Sequence, residues 1–215
     1  MARRVVISEQ KVRDAHRSGD GFVVVPDNAL ITPLARDAAR ALGVEFRKAS
    51  EHPDAPPPPP SGPRAVAIGS DHGGFQMKAE LVTFLEQMGW SVHDVGTHSA
   101  DSCDYPDFAY ATARMVTNGR ARFGIMIDGA GIGSAMVCNK VYRIRAACPY
   151  NEFTAWNARA HNDANVLTLG ARTLGIEVVK AIVRTFLETD FEGGRHAKRV
   201  GKIGDVDEAY RGKQG

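Results

Sequence analysis

A doubly wound, Rossmann-like α/β fold, with a five-stranded parallel sheet and helices on both faces, is what three features of this sequence predict. Short apolar runs and helical patterns alternate five times after residue 64, as in a parallel sheet joined by crossover helices. The run Phe123-Gly124-Ile125-Met126-Ile127 has no polar residue, which suits a strand buried on both faces. Glycines and polar residues gather where the runs end, and such sheets bind ligands beyond the carboxyl ends of their strands.

Taken in order, residues 65–69 read as a strand and 75–88 as a helix, with Leu81, Phe84 and Leu85 at helical spacing before Gly89. Strand 91–95, helix 107–116 and strand 123–127 follow, then helix 132–139, strand 144–147, helix 152–160, strand 166–169 and helix 174–187. In front stands a small α/β module, 1–50, then a proline-rich linker, 51–63, with the main domain at 64–215. The unbroken run Pro56 to Pro60 removes backbone donors and favours an extended polyproline II spacer. Within the module, 5–7 and 22–25 read as strands and 9–17 and 33–42 as helices. Thr32 before Pro33 is a good helix start, and Leu34, Ala38 and Leu42 are expected on one face. So few residues make a marginal core, so the module is expected to dock on the main domain or on a partner.

Lys and Arg number 27 against 25 Asp and Glu, a net charge of +2, which on electrostatic grounds gives no nucleic-acid or membrane surface. No apolar run approaches the roughly 18 residues of a membrane-spanning helix, and the first ten residues hold too short an apolar stretch for a signal-peptide core. Cys103, Cys138 and Cys148 are an odd set without metal-finger spacing, fitting a reducing compartment and a cytoplasmic protein.

The strand ends hold the candidate chemistry. Gly129, Gly131 and Gly133 alternate before a helix, where backbone amides can converge on an anion or a developing oxyanion. A glycine-rich turn is equally an ordinary tight connection. A dinucleotide site fits less well, because the glycine spacing is wrong and the motif follows the third strand of its domain rather than the first. Asp71 and His72 can bind hydroxyls or a phosphate, or serve as a helix cap beside a solvated imidazole. His161-Asn162-Asp163 reads as a turn between helix and strand. Arg195 and Arg199, four apart, would share a helix face and can hold one phosphate.

In order along the chain stand Gly69-Ser70-Asp71-His72-Gly73-Gly74-Phe75, Asp104-Tyr105-Pro106, Gly129-Ala130-Gly131-Ile132-Gly133 with Asn139-Lys140, His161-Asn162-Asp163-Ala164-Asn165-Val166-Leu167, and Glu192-Gly193-Gly194-Arg195-His196-Ala197-Lys198-Arg199. Together, over residues 64–206, they resemble the type B ribose-5-phosphate isomerase family, which includes galactose-6-phosphate isomerase subunits. The resemblance implies interconversion of an aldose phosphate and a ketose phosphate through an enediolate, with no metal or organic cofactor. It also implies a homodimer, or a higher homo-oligomer, with active sites shared between subunits. By matching position, Asp71 would bind the sugar, Tyr105 would line the pocket and His161 would assist ring opening. Asn162 and the amides of Gly129, Gly131 and Gly133 would stabilise the enediolate, while His72, Arg172, Arg195 and Arg199 would hold the phosphate. These roles suit the chemistry, since a negative intermediate needs preorganised donors and a phosphate needs guanidinium forks.

The sequence departs from the family pattern at the base. Many members carry cysteine where Asp128 stands, others a glutamate where Ser134 stands, and Ala130 replaces a common threonine. Asp128, at the end of the apolar strand, is the expected substitute. A solvated carboxylate is a weak base, so the role calls for partial burial. Cys138, inside a helix, is expected to be a small buried apolar residue. The alternative to catalysis is a sugar-phosphate-binding subunit that pairs with another isomerase chain. In the front module, residues 31–37 resemble short segments of some bacterial microcompartment enzymes, which implies a microcompartment association.

Overall fold

A strand without a polar residue before its last position fits between two apolar layers, and all six residues of Phe123–Asp128 are buried. The computed structural model describes residues 5–18, 22–25, 29–48 and 64–211, and the chain divides into two compact units, Met1–Pro58 and Pro59–Gly215.

The first unit runs β1 (Val6–Ile7), α1 (Glu9–Ser18), β2 (Phe22–Val25), β3 (Leu30–Ile31), α2 (Pro33–Leu42) and β4 (Glu45–Lys48). Strands β1 and β3 pair in parallel, as do β2 and β4. Thr32 caps α2, its hydroxyl accepting from the Ala35 amide at 3.2 Å, and Gly43 closes the helix in the left-handed conformation. The buried face of α2 is Ala35, Ala38 and Ala39, packed with Ile7, Val12, Val23, Val25 and Val44. Leu34, expected on that face, is 65% exposed. The small alanines let the strands approach closely, and the face turns away from the leucine. Strands β3 and β4 were not expected, one being two residues long and the other a charged Glu-Phe-Arg-Lys run. The proline run of the linker lies outside the described residues.

The second unit runs β5 (Ala65–Ser70), α3 (Phe75–Gln87), β6 (Ser91–Asp94), α4 (Tyr105–Thr117), β7 (Phe123–Asp128), α5 (Ile132–Cys138), β8 (Ala146–Ala147), α6 (Glu152–Ala160), β9 (Val166–Gly170), α7 (Ile176–Glu188) and α8 (Gly194–Arg211). Its five strands form one parallel sheet in the order β6-β5-β7-β9-β8. The two-residue period of β7 sorts its side chains between the layers. Phe123, Ile125 and Ile127 join Leu81 and Leu85 of α3 with Val179, Ile182, Val183 and Phe186 of α7. Met126 joins Ala109 and Ala113 of α4 with Cys138 of α5. Helices on both faces of a parallel sheet are the predicted α/β architecture.

Helix α8 is the largest element the sequence pattern did not reveal. Gly201 and Gly204 interrupt its sparse apolar positions, and Ile203, Val206 and Tyr210 remain 43, 59 and 69% exposed. Polar contacts tie its far end down: Glu208 accepts from the Tyr142 hydroxyl, and Asp207 accepts from the Arg143 amide at 3.2 Å. Among the described residues, no helix is long and apolar enough to cross a membrane.

Candidate active site

Parallel strands present all their carboxyl ends on one edge of the sheet, so Asp71 after β5, the 129–133 loop after β7 and Arg172 after β9 meet there. Asp71 is 8% exposed, and its carboxylate accepts from the Gly74 amide at 3.0 Å, as a cap does. Beside it, His72 Nδ1 lies 3.2 Å from the Cys103 carbonyl and 3.3 Å from the Cys103 amide, so the 103 loop holds that ring nitrogen. Tyr105 opens α4, with its ring over Gly133. A Cβ at Gly133 would stand 2.6 Å from the Tyr105 ring, so any larger residue there would have to displace that ring. Gly131, at φ 80°, makes the bend into α5, and a Cβ on it would collide with Cys148 Sγ and the Leu169 backbone. Arg172 crosses the loop, its amide donating to the Gly129 carbonyl at 3.0 Å.

Asp128 is 5% exposed at the tip of the central strand. One carboxylate oxygen accepts from the Ala130 amide at 2.7 Å and from the Gly131 amide. The other accepts from the Ser134 amide at 3.2 Å and from the Ser134 hydroxyl. Four donors fill the acceptor sites of one carboxylate. This corrects one expectation. The Gly131 amide turns inward to Asp128 rather than toward a ligand, so the loop does not present its amides as one group. The donors that remain are the first-turn amides of α5, at Ile132 and Gly133, which have no acceptor within the helix. Asp128 also anchors the loop, with its carboxylate buried. To take a proton it must release a donor, and the Ser134 hydroxyl is the one on a rotatable bond.

The cysteines differ in kind. Cys138 is fully buried, and burial pushes its thiol up to about 12, so it behaves as an apolar residue. Cys148 is exposed beside the loop, its sulfur 3.7 Å from the Ala130 carbonyl. Partial covering of the sulfur itself raises its pKa, a hydrogen bond with Thr168 opposes this, and the Asp128 charge adds to it.

The remaining candidates lie on the other edge. Helix α6 begins with a capping box between Asn151 and Thr154 and ends at His161. Asp163 fastens the turn that follows, accepting from Arg145 Nη2 at 2.7 Å and Arg159 Nη1 at 2.8 Å. Arg159 is 4% exposed, its guanidinium 4.8 Å from the Phe123 ring centroid. His161 stacks on His196 with ring centroids 4.0 Å apart and an interplanar angle of 4°. Its Nδ1 lies 2.9 Å from the Asn157 side-chain amide, and Asn162 donates to the Asn157 carbonyl. Glu192 Oε2 lies 3.5 Å from His161 Nε2 and 3.8 Å from His196 Nε2. Arg195 Nε donates to His196 Nε2 at 3.2 Å, and Arg199 is exposed one turn further along α8. Burial holds the His196 pKa below its ordinary value, helped by the neighbouring His161 and Arg195 and opposed by Glu192.

Strand register measures the separation of the two groups. Asp128 pairs with Gly170 and Gly124 with Val166. The turn at His161 and Asn162 precedes Val166, so four strand residues, about 13 Å at 3.3 Å each, part it from the level of Asp128. One chain therefore gathers Asp71, His72, Tyr105, Asp128, Gly129, Gly131, Gly133 and Arg172 at the carboxyl edge. It gathers His161, Asn162, Arg195 and Arg199 at the amino edge. Reading the sequence missed Ser134, Glu192 and His196 as members of these groups. Glu192 and His196, four apart beside Arg195, were the only sequence signal for the last two.

The ribose/galactose isomerase family model matches residues 66–203. The solved ribose-5-phosphate isomerase B of Clostridium thermocellum is 47% identical, with a TM-score of 0.67, the match covering 68% of this chain and 99% of that one. Ribose-5-phosphate isomerase B of Escherichia coli (strain K12) is 40% identical over 145 residues, 67% of this chain and 97% of that protein. D-erythrulose-4-phosphate isomerase of Pectobacterium atrosepticum is 39% identical over 141 residues, 65% of this chain and 93% of that protein. With most of its second unit matched at these levels, the chain belongs to the ribose/galactose isomerase family.

Proposed function

We propose that the chain is an aldose–ketose isomerase of a phosphorylated sugar, working as a homodimer in which each active site joins the carboxyl edge of one copy to the amino edge of the other. The observation that carries this reading is the splitting of the candidate residues between opposite strand ends. A proton-transfer group and oxyanion donors stand at one edge, and an imidazole with two guanidinium groups at the other. A sugar phosphate needs both sets within one molecule's length. Two-fold symmetry supplies them twice over, because residue i of one copy then faces residue j of the other and the reverse. Ile132 and Met136, 57 and 63% exposed on α5 beside the loop, give such an interface apolar area.

In this reading His161 protonates the ring oxygen as its bond to C1 breaks and the C1 hydroxyl gives up its proton to solvent, and Asp71 orients the sugar's hydroxyl groups. Asp128, exchanging its Ser134 bond, takes the C2 proton of the aldose. The released electron pair forms the C1–C2 double bond, and the negative charge on the former carbonyl oxygen is met by the amides of Ile132 and Gly133 and by Asn162. Return of the proton to C1, with the O2 hydroxyl proton passing to O1, gives the ketose. Arg172, Arg195, Arg199 and His72 hold the phosphate. The relatives' names span ribose 5-phosphate and D-erythrulose 4-phosphate, so the substrate proposed is a short sugar phosphate, with ribose 5-phosphate and six-carbon 6-phosphates as the first to assay. The setting proposed is the cytoplasm, with residues 1–50 as a module docking on a partner such as a microcompartment component.

The saturated carboxylate of Asp128 favours one competing reading, a subunit that binds sugar phosphates without turning them over. Steady-state assays of wild type, Asp128→Asn and Ser134→Ala separate the two. Loss of a general base lowers turnover about 10²–10⁴-fold, and that is the result expected for Asp128→Asn in a protein that still folds. Undiminished turnover in that variant removes Asp128 from the mechanism. A wild type stabilised by phosphosugars, yet without solvent exchange at the reacting carbon, would establish the binding subunit instead.

A further inference from the structure

The stacked pair His161 and His196 exceeds what ring opening needs, since one imidazole suffices for that step. The two parallel rings have centroids 4.0 Å apart, and Glu192 Oε2 lies within 3.8 Å of both Nε2 atoms. The three ligand atoms lie within 4.8 Å of one another, and this is the one such group among the described residues. Tetrahedral zinc, with bonds of about 2.0–2.1 Å to imidazole and carboxylate, sets its ligands roughly 3.4 Å apart. The 3.5 and 3.8 Å separations are near that spacing, but parallel ring planes share no point, so each imidazole must tilt out of the stack to aim its Nε2 lone pair at one ion.

We propose that His161, Glu192 and His196 form a zinc-binding site, three protein ligands with an open fourth position, at the amino edge of the sheet. Two imidazoles and one carboxylate, without a thiolate, suit zinc, cobalt or nickel rather than magnesium or calcium. The surroundings fit the role. Metal-bound histidines donate their second nitrogen to a neighbour, and His161 Nδ1 already meets the Asn157 side chain at 2.9 Å. Turning that amide over lets the imidazole donate to its oxygen and frees Nε2. His196 Nε2 accepts from Arg195, so it already carries a lone pair, and the exposed Arg195 must swing out as the metal arrives. On the isomerase reading above, zinc would occupy the imidazole of His161 and act as a reversible inhibitor. The binding itself does not depend on that reading.

The full chain, stripped of metal by chelator, is titrated with Zn²⁺ against a chromophoric zinc indicator, with no sugar present. One zinc per chain is expected, with affinity at least 10-fold weaker in Glu192→Gln and in His196→Gln and unchanged in the double variant Cys103→Ser with Cys148→Ser. Wild-type protein titrated with Co²⁺ gives a second measurement that requires no variant to fold. Visible bands of a four-coordinate nitrogen and oxygen site are expected. No uptake below about 1 mM, equal uptake by the Glu192 and His196 variants, or a thiolate-to-cobalt charge-transfer band would each overturn the site. Zinc uptake without inhibition of an active enzyme would leave the site standing and count instead against His161 in catalysis.

Discussion

At the residue scale, burial and hydrogen bonding decide what each reactive group can do. Cys138 and Cys148 are both thiols near Asp128, but Cys138 is fully buried and titrates only at about 12. A thiol-alkylating reagent at pH 8 is therefore expected to label Cys148 and leave Cys138 untouched until the chain unfolds, as peptide mass mapping can read. Labelling of Cys138 in the folded protein would contradict that placement. His196 makes a prediction of the opposite kind. Its folded pKa lies below its ordinary 6.5, so between the two values the unfolded chain binds more protons than the folded one, and stability falls as pH drops through that window. Thermal melting at pH 7.5 and 5.5 should show a smaller pH-dependent loss for His196→Gln than for wild type. The residue scale is also where the sequence was least legible. Asp128 at the end of an apolar run announced a buried carboxylate, but nothing in the order of residues said that Ala130, Gly131 and Ser134 would fold back onto it.

At the element scale, pattern and structure agree wherever burial imposes a period. The apolar run of β7 and the spacing of Leu81 and Leu85 were legible because packing on a sheet demands them. Helices α2 and α6 have the expected bounds, marked by Thr32 with Pro33 and by Asn151. Strand β4 and helix α8 were not legible, since each is largely solvent-facing and carries charge or glycine where a period would otherwise appear. Phe186 shows how much the buried period contributes. It is fully buried in α7 and meets the Phe123 ring edge-on at 5.6 Å. Phe186→Ala leaves a cavity beneath the sheet and should cost about 3–5 kcal/mol of stability in denaturant unfolding. A loss under 1 kcal/mol would mean that α7 is not fastened at this point.

At the scale of the whole molecule, topology arranges what residue types alone do not. Each motif that carried the family resemblance was visible in the sequence, yet their division between two edges was not, because it follows from strand direction and register. A parallel sheet sends Asp128 to one edge and His161 to the other within a single chain. In the proposed dimer, two copies related by a two-fold axis would turn that separation into a pair of complete sites. The account thus predicts that Asp128→Asn and His161→Gln, each nearly inactive alone, complement one another. The most direct test is to mix equal amounts of the two purified variants under conditions that exchange subunits and assay the mixture. Random pairing makes half the dimers mixed, each with one intact site of two, so activity should recover to about one quarter of wild type. A mixture that stays as inactive as its components, once exchange has been verified, would contradict sites shared between copies.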